Sequence, residues 1–176
     1  NMVLQQLDNV AIWGNDEPGS VVEIQTSWGI EKSLKTEADG KWQAKIQTNK
    51  ASFESQKITV KGSSTIILQN VLIGEVWFCS GQSNMEMPMN GFKNSPVNNS
   101  EELIASSENA YIRLFNAPRK ASLSLEDNVV GTWEETKPEH VKTFSAVGYL
   151  FGRELFEKLQ IPIGIIESAW GGTRIE

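Results

Sequence analysis

The chain has 176 residues, 39% apolar and 22% charged, with 22 acidic against 16 basic residues and a formal charge of −6. This is the profile of one globular domain or two small ones, not of a disordered or fibrous polypeptide, and the absence of a Lys/Arg cluster argues against nucleic acid or an anionic membrane as partner. One cysteine and one histidine exclude an intrachain disulfide framework and leave too few ligands for a zinc site, so no metal or other cofactor is expected.

The start, Asn1-Met2-Val3-Leu4, has neither a basic segment nor an apolar one behind it, so any signal peptide is expected to have been removed or left out. No apolar run approaches the roughly 20 residues of a spanning helix. From Val10 to Leu68 short apolar runs are separated by turn clusters at residues 15–19, 38–40 and 62–64, which predicts strands. In residues 41–46, Trp42, Ala44 and Ile46 alternate with polar residues, and Ile58 and Val60 repeat the pattern. An all-β sandwich over residues 1–73 is expected, with Trp13, Trp28 and Trp42 as core.

At Gly74 the pattern changes. Val76-Trp77-Phe78-Cys79 is a continuous apolar run, suited to a strand covered on both faces, as in a parallel α/β sheet. Asn99 or Ser100 is placed to cap a helix reaching Glu108, and residues 111–115 read as a strand. A helix from about Ser145 to Leu159 puts Val147, Leu150, Phe151, Leu155 and Leu159 on one stripe, and Pro162 and Gly164 precede a further strand, 163–167. Residues 74–176 are therefore expected to form the first part of a three-layer, flavodoxin-like α/β domain with a parallel sheet. Asn98-Asn99-Ser100 matches a glycosylation acceptor, relevant only in a eukaryotic source.

Two segments join a strand end to a small-residue loop: residues 79–85, Cys-Ser-Gly-Gln-Ser-Asn-Met, and residues 168–173, Ser-Ala-Trp-Gly-Gly-Thr. In open parallel sheets such loops line the ligand crevice. A serine hydroxyl needs a base and oxyanion donors to act in acyl transfer. Gly81 permits a sharp turn before Ser83, and Gly171 and Gly172 present N–H groups without a side chain in the way. Either segment alone is also what an ordinary turn looks like.

Read together, the blocks resemble the sialate O-acetylesterase family of the SGNH hydrolase superfamily. Residues 75–85 are similar to its nucleophile block, and residues 144–155 and 161–173 to later blocks in the same order; residues 2–5, 12–14 and 39–42 resemble its N-terminal β-domain. The resemblance implies a secreted or periplasmic serine esterase acting on O-acetylated sialic acid or a related acetylated sugar, 9-O-acetyl esters included. Ser83 would be the nucleophile, and the oxyanion would be held by its N–H, by Gly171 or Gly172, and by a side-chain donor.

In the family that donor is a later glutamine, and the histidine base and its aspartate lie later still. Here His140 is the sole histidine, has Lys137 three positions before it, and sits in the polar run 137–140, which reads as a solvated loop and not as a base. Three strands also fall short of the roughly five of a flavodoxin-like sheet. The chain is therefore expected to be an inactive part of an esterase, not folding cooperatively by itself. A second chain or segment would supply the Gln, Asp and His and cover the open edge.

Other residues keep two readings at this stage. Cys79 lies within the apolar strand as a small hydrophobe, whereas Ser80 competes with Ser83, which the resemblance favours. Asn84 either orients the nucleophile loop or caps the next segment. Glu86, Met87 and Met89 line the pocket entrance or pack beneath it. Gln82, Asn84, Trp170, Thr173 and Arg174 are candidate substrate contacts, with Trp170 stacking on a sugar and Arg174 meeting a sialic acid carboxylate unless both are scaffold. A deacetylase of plant polysaccharides such as acetylxylan and a non-catalytic carbohydrate-binding protein are the alternatives.

Overall fold

The computed structural model describes residues 1–173. In chain order the strands are β1 (Val3–Gln5), β2 (Asn9–Asn15), β3 (Val21–Thr26), β4 (Glu31–Lys35), β5 (Lys41–Gln47), β6 (Ser52–Lys61) and β7 (Thr65–Gly81). Next come helices α1 (Ser83–Glu86) and α2 (Ser100–Ala105), strands β8 (Asn109–Asn116) and β9 (Trp133–Thr136), helices α3 (Pro138–Val141) and α4 (Ala146–Leu159), and strand β10 (Ile163–Ala169).

The main sheet runs β4-β3-β6-β7-β10-β8-β9, with β1 also pairing with β7, while β2 and β5 form a separate antiparallel pair. Alternation does what the sequence pattern requires: Trp42 and Ile46 of β5 turn inward with Val22, Ile24, Ile58, Val60 and Val71 to form one core. A second core lies between α4 and the sheet and contains Cys79, Ile112, Leu114, Phe144, Tyr149, Ile163 and Ile165. Trp28 packs at the edge of the first core, but Trp13 is 61% exposed, because Ile12 takes the inward position and its neighbour in a strand must point away.

The two expected parts are not separate sheets. β7 is 17 residues long and passes through residues 73–74 without a break. Its first half pairs antiparallel with β6, and its second half pairs parallel with β10. Val3–Gln5, at the very start of the chain, pairs parallel with Leu72–Gly74. The change of pattern at Gly74 is a change of surroundings within one strand. A Cβ there would run into the Pro162 carbonyl, whose oxygen instead accepts the Glu75 N–H at 3.0 Å.

β8, α4 and β10 build the expected strand-helix-strand arrangement, with β10 parallel to both β7 and β8. Ser145 caps α4 by accepting the Gly148 N–H at 3.0 Å. The predicted apolar stripe is not the buried face: Val147, Leu150, Phe151 and Leu159 are exposed, and Ala146, Gly148, Tyr149 and Gly152 face the sheet. Small residues let the helix lie close, since a Cβ on Gly152 would come within 2.8 Å of Ile165 Cγ1. Nor is β7 covered on both faces, because Trp77 is 43% exposed beside Phe151 and Phe78 is 64% exposed. Helix α2 ends at Ala105, and Asn99 precedes it in a left-handed conformation (φ 56°) without a side-chain cap.

Candidate active site

Strands β7, β8 and β10 are parallel, so their carboxyl ends and the loops that follow lie together. At the end of β7, Gly81 has φ 152°, and a Cβ would stand 3.2 Å from that of Met85. Glycine accepts this backbone where other residues are strained. The chain then turns into α1, which puts Ser83 at the first helical position with its side chain exposed. The turn is closed by Glu86 N–H donating to Gln82 O at 2.9 Å and Met87 N–H donating to Ser83 O at 3.0 Å.

The loop after β10 is tied to this turn twice. Trp170 N–H donates to Gly81 O at 3.0 Å, and Gly171 N–H donates to Glu86 Oε2 at 2.5 Å. A Cβ on Gly171 would lie 3.1 Å from Ser83 Oγ and collide with the Glu86 carboxylate. Thus the glycine is required by the approach of two side chains, and Gly171 borders the hydroxyl directly. Gly172 is next, with φ 79° and open space where a Cβ would lie, and Thr173 Oγ1 donates to Trp170 O at 2.5 Å.

The loop after β8 completes the site. Arg119 forms an ion pair with Glu86 Oε1, and its Nε donates to Ala169 O at 3.3 Å. Glu167, on β10, is buried and accepts the Ala169 N–H at 3.1 Å. Burial pushes the Glu167 carboxyl above its ordinary range, and nearby Glu86 adds to this, while the Ala169 N–H and the Arg119 charge oppose it. The Cys79 thiol is also pushed up by burial, then by Glu167, so it stays protonated and behaves as a core residue.

A cleft of about 250 Å³ opens beside these loops, bounded by Ser80, Gln82, Pro118, Arg119, Ser168, Trp170 and Thr173. Ser83 is not among its lining residues. Gln82, Trp170 and Thr173 therefore share the cleft wall, and Trp170 is 41% exposed. Asn84 lies inside α1, which removes the capping reading, and it is exposed. Arg174 lies outside the described residues. Ser80, on β7, faces the cleft but is not beside Gly171 as Ser83 is.

His140 is not a solvated loop residue. It is half-buried in α3, with Nδ1 2.8 Å from Glu135 O and Nε2 3.8 Å from a Glu134 carboxylate oxygen. Met89 is fully buried, as one of its two readings requires. Sequence pattern assigns Glu86 no chemistry, yet it contacts both the β8 and the β10 loop. Two signals point to it and to Arg119: a spacing of three residues from Ser83 puts Glu86 on the serine's side of a helix, and Arg119 follows a strand's carboxyl end.

Comparison with known proteins finds relatives along the whole chain. No family model matches the chain. It is 35% identical over 194 residues to the sialate O-acetylesterases of Homo sapiens and Pongo abelii, covering 100% of this chain and 36% of each relative. The Mus musculus sialate O-acetylesterase is 33% identical over 193 residues, 99% of this chain and 35% of the relative. The crystal structure of a carbohydrate acetylesterase from Xanthomonas citri superposes with a TM-score of 0.90 at 30% identity, over 99% of this chain and 39% of that one.

The chain thus shares the fold of the corresponding part of a carbohydrate acetylesterase. More narrowly, the chain belongs to the sialate O-acetylesterase family, and it spans about a third of the length of the curated relatives it matches.

Proposed function

We propose that these residues form the nucleophile half of a serine O-acetylesterase acting on acetylated sugars, with O-acetylated sialic acids, 9-O-acetyl esters among them, as the natural class. The observation that carries the reading is the proximity of the Ser83 hydroxyl to Gly171, in a loop held at the carboxyl end of parallel strands. The names of the relatives support the substrate class.

In the reaction, Ser83 Oγ attacks the acetyl carbonyl carbon and its proton passes to an imidazole. The sugar oxygen takes that proton as it leaves, and acetyl-Ser83 remains. Water then attacks the acetyl group, loses a proton to the same imidazole, and releases acetate and free serine. The oxyanion is held by the Ser83 N–H and a glycine N–H of the β10 loop. Since Gly171 N–H already donates to Glu86, Gly172 is the donor that remains.

The imidazole, its aspartate partner and the third oxyanion donor, a glutamine, come from a segment outside these 176 residues. His140 lines a different cavity, with Asn116, Glu134 and Thr143, and not the cleft at the carboxyl ends of β7 and β10. Secretion or a periplasmic location belongs to the same reading.

The test uses the full polypeptide containing this chain. Ser83→Ala is expected to remove hydrolysis of p-nitrophenyl acetate and of 9-O-acetyl sialic acid, and a brief acetyl-ester pulse quenched in acid should leave the acetyl group on the peptide holding Ser83. Turnover by Ser83→Ala at the wild-type rate would refute the nucleophile. Faster deacetylation of acetylxylan than of sialic acid would move the substrate to plant polysaccharides, and sugar binding without turnover would support a non-catalytic role.

A further inference from the structure

Glu86 and Arg119 lie outside the catalytic set of the proposed reaction, yet they hold its loops together. The Glu86 side chain is 14% exposed and uses both carboxylate oxygens: Oε1 pairs with Arg119, and Oε2 accepts the Gly171 N–H at 2.5 Å. Arg119 in turn reaches Ala169 O at 3.3 Å. One carboxylate therefore links the helix that bears Ser83, the loop after β8 and the loop after β10.

The contact also determines how near the β10 loop comes to the nucleophile. Gly171 lies where a Cβ would be 3.1 Å from Ser83 Oγ. The Glu86 Oε2 acceptor holds the Gly171 amide there, next to the Trp170 N–H contact with Gly81 O. Charge assistance from both directions, an arginine on one oxygen and an amide on the other, makes this a strong clamp. A shift of about 1 Å in a group that must meet a developing oxyanion costs on the order of 100-fold in rate.

We infer that Glu86, oriented by Arg119, is a positioning residue that sets the distance between the β10 loop and Ser83. This rests on the reading of Ser83 as the nucleophile. The contacts of the Glu86 carboxylate are with Arg119 and the Gly171 N–H. Its part is to accept the Gly171 N–H and so fix the neighbouring Gly172 N–H in line with the acetyl oxygen.

The experiment compares Glu86→Ala, Glu86→Gln and Ser83→Ala in the full polypeptide, with p-nitrophenyl acetate as substrate and the Gly171 amide proton followed by NMR. Glu86→Ala is expected to lower kcat about 100-fold with KM within about threefold of wild type, and to move the Gly171 amide proton upfield. Glu86→Gln keeps an acceptor oxygen, so it should restore kcat to within about tenfold of wild type and return the amide proton toward its original position.

A kcat for Glu86→Ala within about threefold of wild type, while Ser83→Ala is inactive, would overturn the inference and leave the esterase reading intact. So would Glu86→Gln as impaired as Glu86→Ala, since the geometry assigns the role of an acceptor. If Glu86→Ala fails to fold, the Gln variant and its Gly171 resonance decide the matter. Activity surviving in Ser83→Ala would sink the esterase reading instead.

Discussion

Arg113 donates to Asn70 from two nitrogens: Nη1 to the main-chain carbonyl and Nη2 to the side-chain oxygen at 2.8 Å. The arginine is only 2% exposed, and it also donates to Met2 O at 3.1 Å and Ala110 O at 3.2 Å. Asn70 has φ 53° in the middle of β7, so the strand is locally kinked where its carbonyl meets the guanidinium. This pair joins β8 to the point at which β7 passes from one core to the other.

Removing that guanidinium should strand several buried carbonyl oxygens. Arg113→Leu is expected to lower stability by about 3 kcal/mol, a fall of roughly 10 °C in Tm. Thermal unfolding followed by circular dichroism checks it. A change below about 1 kcal/mol would mean that water satisfies the carbonyls and that the arginine does not join the two cores.

Local pattern locates most elements correctly because alternation and capping are local properties. Trp42 and Ile46 read as inward-facing and are, and Ser145 caps the helix it is expected to open. The local readings fail at the Asn99 cap and at Trp13, and the larger failures depend on distant partners. Gly74 reads as a boundary and is instead a point of contact with Pro162. The α4 stripe reads as core, but the helix faces the sheet with Gly148 and Gly152, because close approach to Ile165 requires small residues and no periodicity of large apolar ones reports that. Within the site, Ser83 and Gly171 are legible as loop chemistry after strand ends. The pairing of Glu86 with Arg119 is not, since it joins residues far apart in the chain: local signals point to each residue but not to their contact.

Gly152 makes the packing argument quantitative. Helix propensity alone predicts that Gly152→Ala stabilises the protein by about 1 kcal/mol. The structure predicts the opposite sign, because the new Cβ would lie 2.8 Å from Ile165 Cγ1 and 3.0 Å from its Cδ1. A net loss of about 1–3 kcal/mol is expected in urea unfolding. Partial rescue in the double variant Gly152→Ala, Ile165→Val would identify the isoleucine as the obstacle.

Glu167 should make stability depend on pH. Its folded-state value is raised, chiefly by burial, so the native state holds the proton more tightly than the unfolded one. The favourable contribution is then fully present below the ordinary carboxyl value and is lost as pH rises through the folded-state value. Glu167→Gln removes the ionisation while keeping an oxygen for the Ala169 N–H. It is expected to raise Tm by about 2–4 °C near pH 7, with the gain shrinking as the pH is lowered toward 4.5. A gain independent of pH would show that ionisation of Glu167 is not its source.

The two glycines of the β10 loop should separate by function, although they are adjacent. At Gly171 a methyl group would enter the space between Ser83 Oγ and the Glu86 carboxylate, so Gly171→Ala must displace the loop or the nucleophile turn. Its kcat on p-nitrophenyl acetate is expected to fall about 100-fold or more. At Gly172 the Cβ would meet nothing within 4 Å, but φ is 79°, so alanine costs about 1 kcal/mol of backbone strain and leaves the N–H in place. Gly172→Ala should therefore lose stability with kcat within about tenfold of wild type, whereas Gly171→Ala should lose far more in kcat. Steady-state kinetics and thermal unfolding on both variants of the full polypeptide test this. If Gly172→Ala were the more damaged in kcat, the loop would be held by Gly172 and not by the Glu86 contact at Gly171.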